Sequence, residues 1–312
     1  MKQSKGRVAV VGSANLDLVT TTETLPRPGE TLLATSYAEG PGGKGSNQAF
    51  AAARMGADVA FVGLRGEDSA GDVVAGALAG VGVDVSCFRR TAGPTGRALV
   101  MVDALAENSI IVVAGANARL SAADVEAAGD IVTDAAVVVC QLEVPVAAVR
   151  AAQHATTGLF VLNPAPAQVL PADVLAGTDV LVVNELEYAT VLGEPLPDDL
   201  AAMESVAARP GSPSTIVATL GSRGAALCHA GSVTLLPPPA VSVVDTTGAG
   251  DTFVGALAAE LAAGTTMVAA AGRAVVAASL STRSLGATAG MPGRDEVLTH
   301  LTTDPVSVTP TP

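Results

Sequence analysis

The chain has 312 residues, 49% of them hydrophobic and 2% aromatic, and carries a formal net charge of −13. That size and apolar content suit one large domain with a buried core and exclude a disordered or fibrous protein. So acidic a balance argues against a nucleic-acid partner, whose phosphates are bound by dense Lys and Arg, but leaves room for a small anionic substrate at a locally positive site.

At the N-terminus a short apolar stretch runs straight into Gly12, Ser13, Asn15 and Asp17, the pattern of a first strand rather than of a secretory leader. RVAVVG (7–12), VAFVGL (59–64), AAVVVCQL (135–142), GLFVLN (158–163), DVLVVN (179–184) and STIVATLG (214–221) read as buried parallel strands. Helical segments stand between them at 46–56, 69–82, 121–132, 144–155 and after Asn184. This alternation predicts an α/β fold: a doubly wound, mainly parallel sheet flanked by helices. Such sheets bind ligands at the carboxyl ends of strands, where Asn15, Asp17, Glu143, Asn163 and Asn184 fall.

Residues 17–40 and 89–113 break the alternation, with TGRALVMVD and NSIIVVAG flanking a polar turn. They predict a small β-sheet lid, which would exclude water from the site, and whose apolar strands also suit a homodimer contact. The apolar stretch 253–282 is interrupted by Glu260, Gly264 and Arg273 and predicts two buried helices, not a membrane span. A single domain is expected over 1–302, with 303–312 as a disordered tail. Cys87, Cys140 and Cys228 lie far apart, without CxxC or Cys/His spacing, and read as reduced thiols of a cytoplasmic protein.

Four segments carry chemistry. GPGGKGSNQA (40–49) bares backbone for a close ligand and offers Lys44 and Asn47. Its GxGxxG match at Gly40, Gly42 and Gly45 is not placed directly after the first strand, as a dinucleotide site requires, and no Ser or Thr follows Lys44 as in a Walker A loop. NELE (184–187) puts Asn184 and Glu187 on one side of a helical turn, a pairing that suits a Mg²⁺ held largely through water, or simply a helix cap. TLGSRG (219–224) offers Thr219, Ser222 and bare N–H groups to nucleotide phosphates, or forms an ordinary turn. In DTTGAGDTF (245–253), Gly248, Ala249 and Gly250 lead into Asp251 at the mouth of a helix. There, open N–H groups can hold an anion while the carboxylate takes a proton from a hydroxyl. A glycine-rich turn capped by an Asp is the alternative.

Taken in order with QLEVP (141–145) and NPAPA (163–167), these motifs resemble the signatures of the PfkB carbohydrate-kinase family from Val8 to about Pro292, and are most similar to its ribokinase branch. The resemblance implies an ATP-dependent kinase that phosphorylates D-ribose at O5. It implies that Asn15 and Asp17 bind the sugar hydroxyls, with Gly43, Lys44 and Asn47 opposite and Glu143 completing the pocket. Asp251 would be the base, and the N–H groups of Ala249, Gly250 and Asp251, beyond Gly248, the anion hole. Thr219, Gly221, Ser222 and Gly224, with Asn184 and Gly250, would hold ATP, and Asn184 and Glu187 would place Mg²⁺. An activating K⁺ is implied at Asp245 and Thr247, with Arg283 and Gly286 in its C-terminal half.

The chain departs from the family in two places. The segment 281–292 is one residue longer than usual, and Ala274 stands where relatives often carry a polar residue near the adenine. Three other readings compete: a kinase for deoxyribose, fructose, a ketodeoxy sugar acid or a nucleoside; a silent sugar-binding protein on the same fold; and a nicotinamide oxidoreductase built on the GxGxxG match. Scarce aromatics weigh against a nucleoside, whose base wants a stacking partner, and the intact Asp251 weighs against a silent protein.

Overall fold

Val8, Ala9, Val10 and Val11 are all fully buried, which a strand achieves only inside a sheet covered on both faces. A computed structural model describes residues 6–105, 108–303 and 309–310. The chain runs β1 (Arg7–Val11), β2 (Asn15–Thr21), β3 (Ser36–Gly42), α1 (Lys44–Arg54), β4 (Asp58–Arg65), α2 (Ser69–Gly80), β5 (Phe88–Arg90), β6 (Gly96–Val102) and β7 (Asn108–Val113). It continues through α3 (Ala122–Glu126), α4 (Asp130–Thr133), β8 (Val137–Cys140), α5 (Val146–Ala155), β9 (Leu159–Leu162), α6 (Ala172–Ala176), β10 (Val180–Asn184), α7 (Glu185–Leu192) and α8 (Met203–Ala207). Last come β11 (Thr215–Thr219), β12 (Ala225–His229), β13 (Ser232–Leu236), α9 (Ala249–Ala262), α10 (Met267–Ser281), α11 (Arg294–Thr303) and β14 (Thr309–Pro310).

The main sheet has the order β14-β13-β12-β11-β10-β9-β8-β1-β4-β5. It is parallel from β5 to β11 and antiparallel beyond, so the doubly wound expectation holds and is extended by an antiparallel edge. Its two faces bury separate cores. Along β1, Val8 and Val10 join the residues of α1, α9 and α10, while Ala9 and Val11 join those of α5 and the helices beyond.

The second sheet, β3-β2-β6-β7, is the predicted lid, with shifted limits. It begins at Asn15 rather than 17, and β5 within the expected lid segment instead pairs with β4 in the main sheet. The expected helix over 121–132 divides at Gly129, whose φ of 51° interrupts it. Two helices fill 253–282 as anticipated, separated at Gly264 with φ of 78°. Among the described residues no helix is long and apolar enough to cross a membrane, and all three cysteines are free thiols. Thr309 and Pro310 pair with β13; the rest of the expected disordered tail after Thr303 lies outside the described residues.

Candidate active site

The polar face of the lid is built on glycine. β2 pairs with β3 at Asn15 and Gly42 and with β6 at Asn15 and Gly96. A Cβ on Gly42 would lie 2.0 Å from Asp17 Oδ2, and one on Gly96 2.1 Å from Asn15 Oδ1, so both neighbours must lack side chains. Asn15 is buried and its Oδ1 accepts from Asn117 Nδ2 at 2.8 Å, which turns its own NH₂ group outward as a donor. Asp17 Oδ1 and Asn47 Oδ1 are buried acceptors with no partner among the described residues.

Burial pushes the Asp17 carboxyl up to about 7, helped by the nearby negative charges of Glu143 and Asp251. Glu143 Oε2 accepts from Ser13 Oγ at 2.6 Å and from the Lys44 N–H at 3.0 Å, which binds the start of α1 to the end of β8. Burial alone would lower the Lys44 pKa. The carboxylates of Asp251, Glu143 and Glu187 outweigh it and lift the ammonium above its usual value, so Lys44 is a fixed positive charge among acids.

The other wall is the first turn of α9. Gly248 stands before it at φ of 76°, a left-handed conformation, and a Cβ there would meet the Ala287 carbonyl at 2.5 Å. Asp251 is buried, and its Oδ2 and Oδ1 accept from Asn47 Nδ2 at 2.9 Å and Gln48 Nε2 at 3.0 Å. The Ala249 N–H donates to the Thr246 carbonyl at 3.2 Å, whereas those of Gly250 and Asp251 find no acceptor among the described residues. Two open donors at a helix start, not three, thus face the cavity. That cavity has a volume of about 150 Å³ and is lined by Lys44, Asn184, Glu187, Thr219, Gly250 and Asp251, among others.

Asn184 and Glu187 form a reciprocal cap on α7: Asn184 Oδ1 accepts from the Glu187 N–H at 2.8 Å and Glu187 Oε2 from the Asn184 N–H at 2.9 Å. Glu187 is buried all the same, and burial raises its pKa above the usual value, so a cation at this wall would relieve it. Thr219 donates to the Val183 carbonyl at 3.3 Å, and Gly221 and Ser222 lie exposed on the short turn after β11. Gly224 serves that turn: its N–H donates to the Gly221 carbonyl at 3.1 Å, and a Cβ would lie 2.1 Å from the Leu236 carbonyl.

Asp245 ties two loops together, accepting from the N–H groups of Thr247 at 2.9 Å and Gly286 at 2.8 Å. Although partial burial opposes them, these donors hold its carboxyl below the ordinary range. The Arg283 guanidinium turns away to Glu296 on α11, so only its main chain is left to face a cation. Among the described residues no three His, Cys, Asp or Glu side chains converge as a ready-made metal site.

Four residues of the site take no role from the sequence alone, although Gln48 lies within GPGGKGSNQA and Gln141 opens QLEVP. Ser13, Gln48, Asn117 and Gln141 hold Glu143, Asp251, Asn15 and Gln48 respectively, each across a long stretch of chain. For Ser13 and Asn117 the only signal is their polarity next to apolar segments.

Residues 5–294 match the model of the pfkB family carbohydrate kinases. The chain is 38% identical over 293 residues to the ribokinase of Bacillus subtilis, covering 93% of this chain and 97% of that protein. It is 36% identical over 313 residues to a bifunctional ribokinase/ribose-5-phosphate isomerase A of Fructilactobacillus sanfranciscensis, covering 97% of this chain but 57% of that longer protein. The fold superposes on an Arabidopsis thaliana ribokinase solved with ribose and ATP at a TM-score of 0.84, with 34% identity, covering 95% of this chain and 98% of that one.

Proposed function

The chain belongs to the pfkB family of carbohydrate kinases, and on that premise we propose that it transfers the γ-phosphoryl group of ATP to the 5-hydroxyl of D-ribose. One observation carries the reading: two buried, unpartnered acceptors, Asp17 Oδ1 and Asn47 Oδ1, stand beside the Asp251 carboxylate and the two open N–H groups of α9. Buried acceptors without donors are costly, and a polyhydroxylated ligand supplies the missing protons. The ribose-bound relative and the ribokinases at comparable identity support ribose among the possible sugars.

In this reading the Asn15 NH₂ donates to a ring hydroxyl, Asp17 and Asn47 accept from others, and Glu143 closes the pocket. Asp251 takes the proton of the 5-hydroxyl as that oxygen attacks. The N–H groups of Gly250 and Asp251 meet the charge on the transferring group, and the Lys44 ammonium faces it across the cavity. ATP lies over Thr219, Gly221 and Ser222, with Gly224 shaping the turn beneath it. The buried Glu187 and the neighbouring Asn184 fit a Mg²⁺ held through water, which when bound neutralises phosphate charge. Asp245, kept ionised by its two N–H donors, fits as the anionic anchor of a K⁺ beside Thr247 and Gly286. Free thiols suit a cytoplasmic setting, and the exposed Ile110 to Val113 of β7 suit a homodimer.

A coupled ADP-release assay over a sugar panel, with and without K⁺, tests the proposal. Ribose should give the highest kcat/KM and K⁺ should raise it. Preference for deoxyribose or fructose would redirect the substrate within the family, and no turnover with any sugar or nucleoside would end the kinase reading.

A further inference from the structure

The amide of Gln48 belongs to a chain of buried side chains that no substrate contact accounts for. Its Nε2 donates to Asp251 Oδ1 at 3.0 Å and to Asn163 Oδ1 at 3.1 Å, so both of its protons are engaged. Its Oε1 accepts from Gln141 Nε2 at 2.7 Å. Asn163 in turn donates from Nδ2 to the Val182 carbonyl at 3.0 Å. Gln48 and Gln141 are both fully buried, and neither lines the cavity.

The polarity of this chain is fixed at both ends. A main-chain carbonyl and a carboxylate only accept, so Asn163 must present its oxygen and Gln48 its nitrogen. Were Gln48 to turn over, its oxygen would face those of Asp251 and Asn163. Gln141 prevents this by donating to Gln48 Oε1. Its own oxygen is buried without a partner beside Gly12, where a Cβ would lie only 2.0 Å away, so its donation to Gln48 is the bond that sets its orientation. With Asn47 on the other oxygen, the Asp251 carboxylate is held at both ends and cannot rotate freely.

We infer that Gln48 and Gln141 are positioning residues for phosphoryl transfer: Gln141 sets which way round the Gln48 amide stands, and Gln48 sets the plane in which Asp251 meets the acceptor hydroxyl. The inference rests on the assignment of Asp251 as the base. A small error in the placement of a catalytic group lowers the rate without changing affinity, because the sugar is bound by other residues.

Steady-state kinetics of Gln48→Leu, Gln141→Leu, the double variant and Asp251→Ala in the full chain test it. Gln48→Leu should lower kcat about 10- to 100-fold, and Gln141→Leu about 10-fold, with the KM for sugar and ATP within about threefold of wild type. The double variant should lose no more than Gln48→Leu alone, since Gln141 acts only through Gln48. Multiplying losses, a change in KM instead of kcat, or wild-type rates in both single variants beside an inactive Asp251→Ala would each overturn the relay. Full activity in Asp251→Ala would remove the base assignment itself, a distinct result. Should Gln48→Leu fail to give the far-ultraviolet circular dichroism of the wild type, Gln141→Met, which retains the volume of the side chain, carries the comparison of kcat with KM.

Discussion

Asp17, which we propose binds the sugar, shows how a buried carboxylate weakens the fold that carries it. With its carboxyl lifted from 3.8 to about 7 by burial and by Glu143 and Asp251, the folded protein holds a proton there that the unfolded chain has already released. Between those two values the folded state binds more protons than the unfolded one, so stability falls as pH rises from about 4 and the deficit is full above about 7. Asp17→Asn should therefore be more stable than wild type at pH 8 by about 1–3 kcal/mol, with the gain fading toward pH 4. Urea denaturation at the two pH values checks this, and an equal gain at both would contradict it. The same substitution removes a carboxylate that accepts hydroxyl protons, so the sugar KM should rise at least about tenfold at pH 8. In wild type that KM should climb as pH drops below about 7, and in Asp17→Asn the dependence should vanish.

At the level of elements, legibility followed periodicity. Strands buried on both faces, such as β1 and β10, stand out as continuous apolar runs, and the glycine motifs mark where helices begin. The hairpin of β12 and β13 escaped because β12 is buried along nearly all its length and shows no alternation, and the start of β2 reads as 17 rather than Asn15 because Asn15 and Asp17 interrupt its apolar pattern. The links among Gln48, Gln141 and Asn163 escaped for a different reason, although each of the three stands in a motif of the sequence. Their hydrogen bonds span 93 and 115 residues, and only the fold brings them together.

The contact that brings Gln48 to Asp251 is between α1 and α9. A Cβ on Gly255 would lie 2.4 Å from the Gln48 carbonyl and 2.6 Å from Ala51 Cβ, so the two helices touch through a bare backbone. Gly255→Ala should cost about 1–3 kcal/mol by forcing the helices apart, and should lower kcat as well, because the displaced residue is the one that holds Asp251. Gly272→Ala on α10 is the control: nothing beyond its own stretch of helix lies within 4 Å of its added Cβ, and it should gain about 0.5–1 kcal/mol with unchanged kcat. Thermal melts and kinetics on the pair separate helix propensity from helix contact. Equal effects at the two sites would show that the close approach is unimportant.

At the scale of the whole molecule, the lid sheet ends in an open strand. β7 is an edge strand, and Ile110, Ile111, Val112 and Val113 along it are each about half exposed, with Leu99 of β6 beside them. Four consecutive exposed apolar residues on an open edge invite pairing with another chain. A second copy meeting the first at this sheet would bury both edges and steady the strands that carry Asn15 and Asp17. Sedimentation velocity at micromolar concentration should then show a dimer of the 30.6 kDa chain. Two chains of net charge −13 repel, so the dimer should tighten as salt rises from about 50 mM to about 500 mM, the reverse of an ion-paired interface. Ile111→Lys should dissociate it, weakening association at least about 100-fold, and should raise the sugar KM more than it lowers kcat, because in the proposed mechanism the lid binds the sugar while α9 performs the transfer. A wild-type chain that stays monomeric at every salt concentration would leave the lid to order by itself, and the substitution would then leave the sugar KM unchanged.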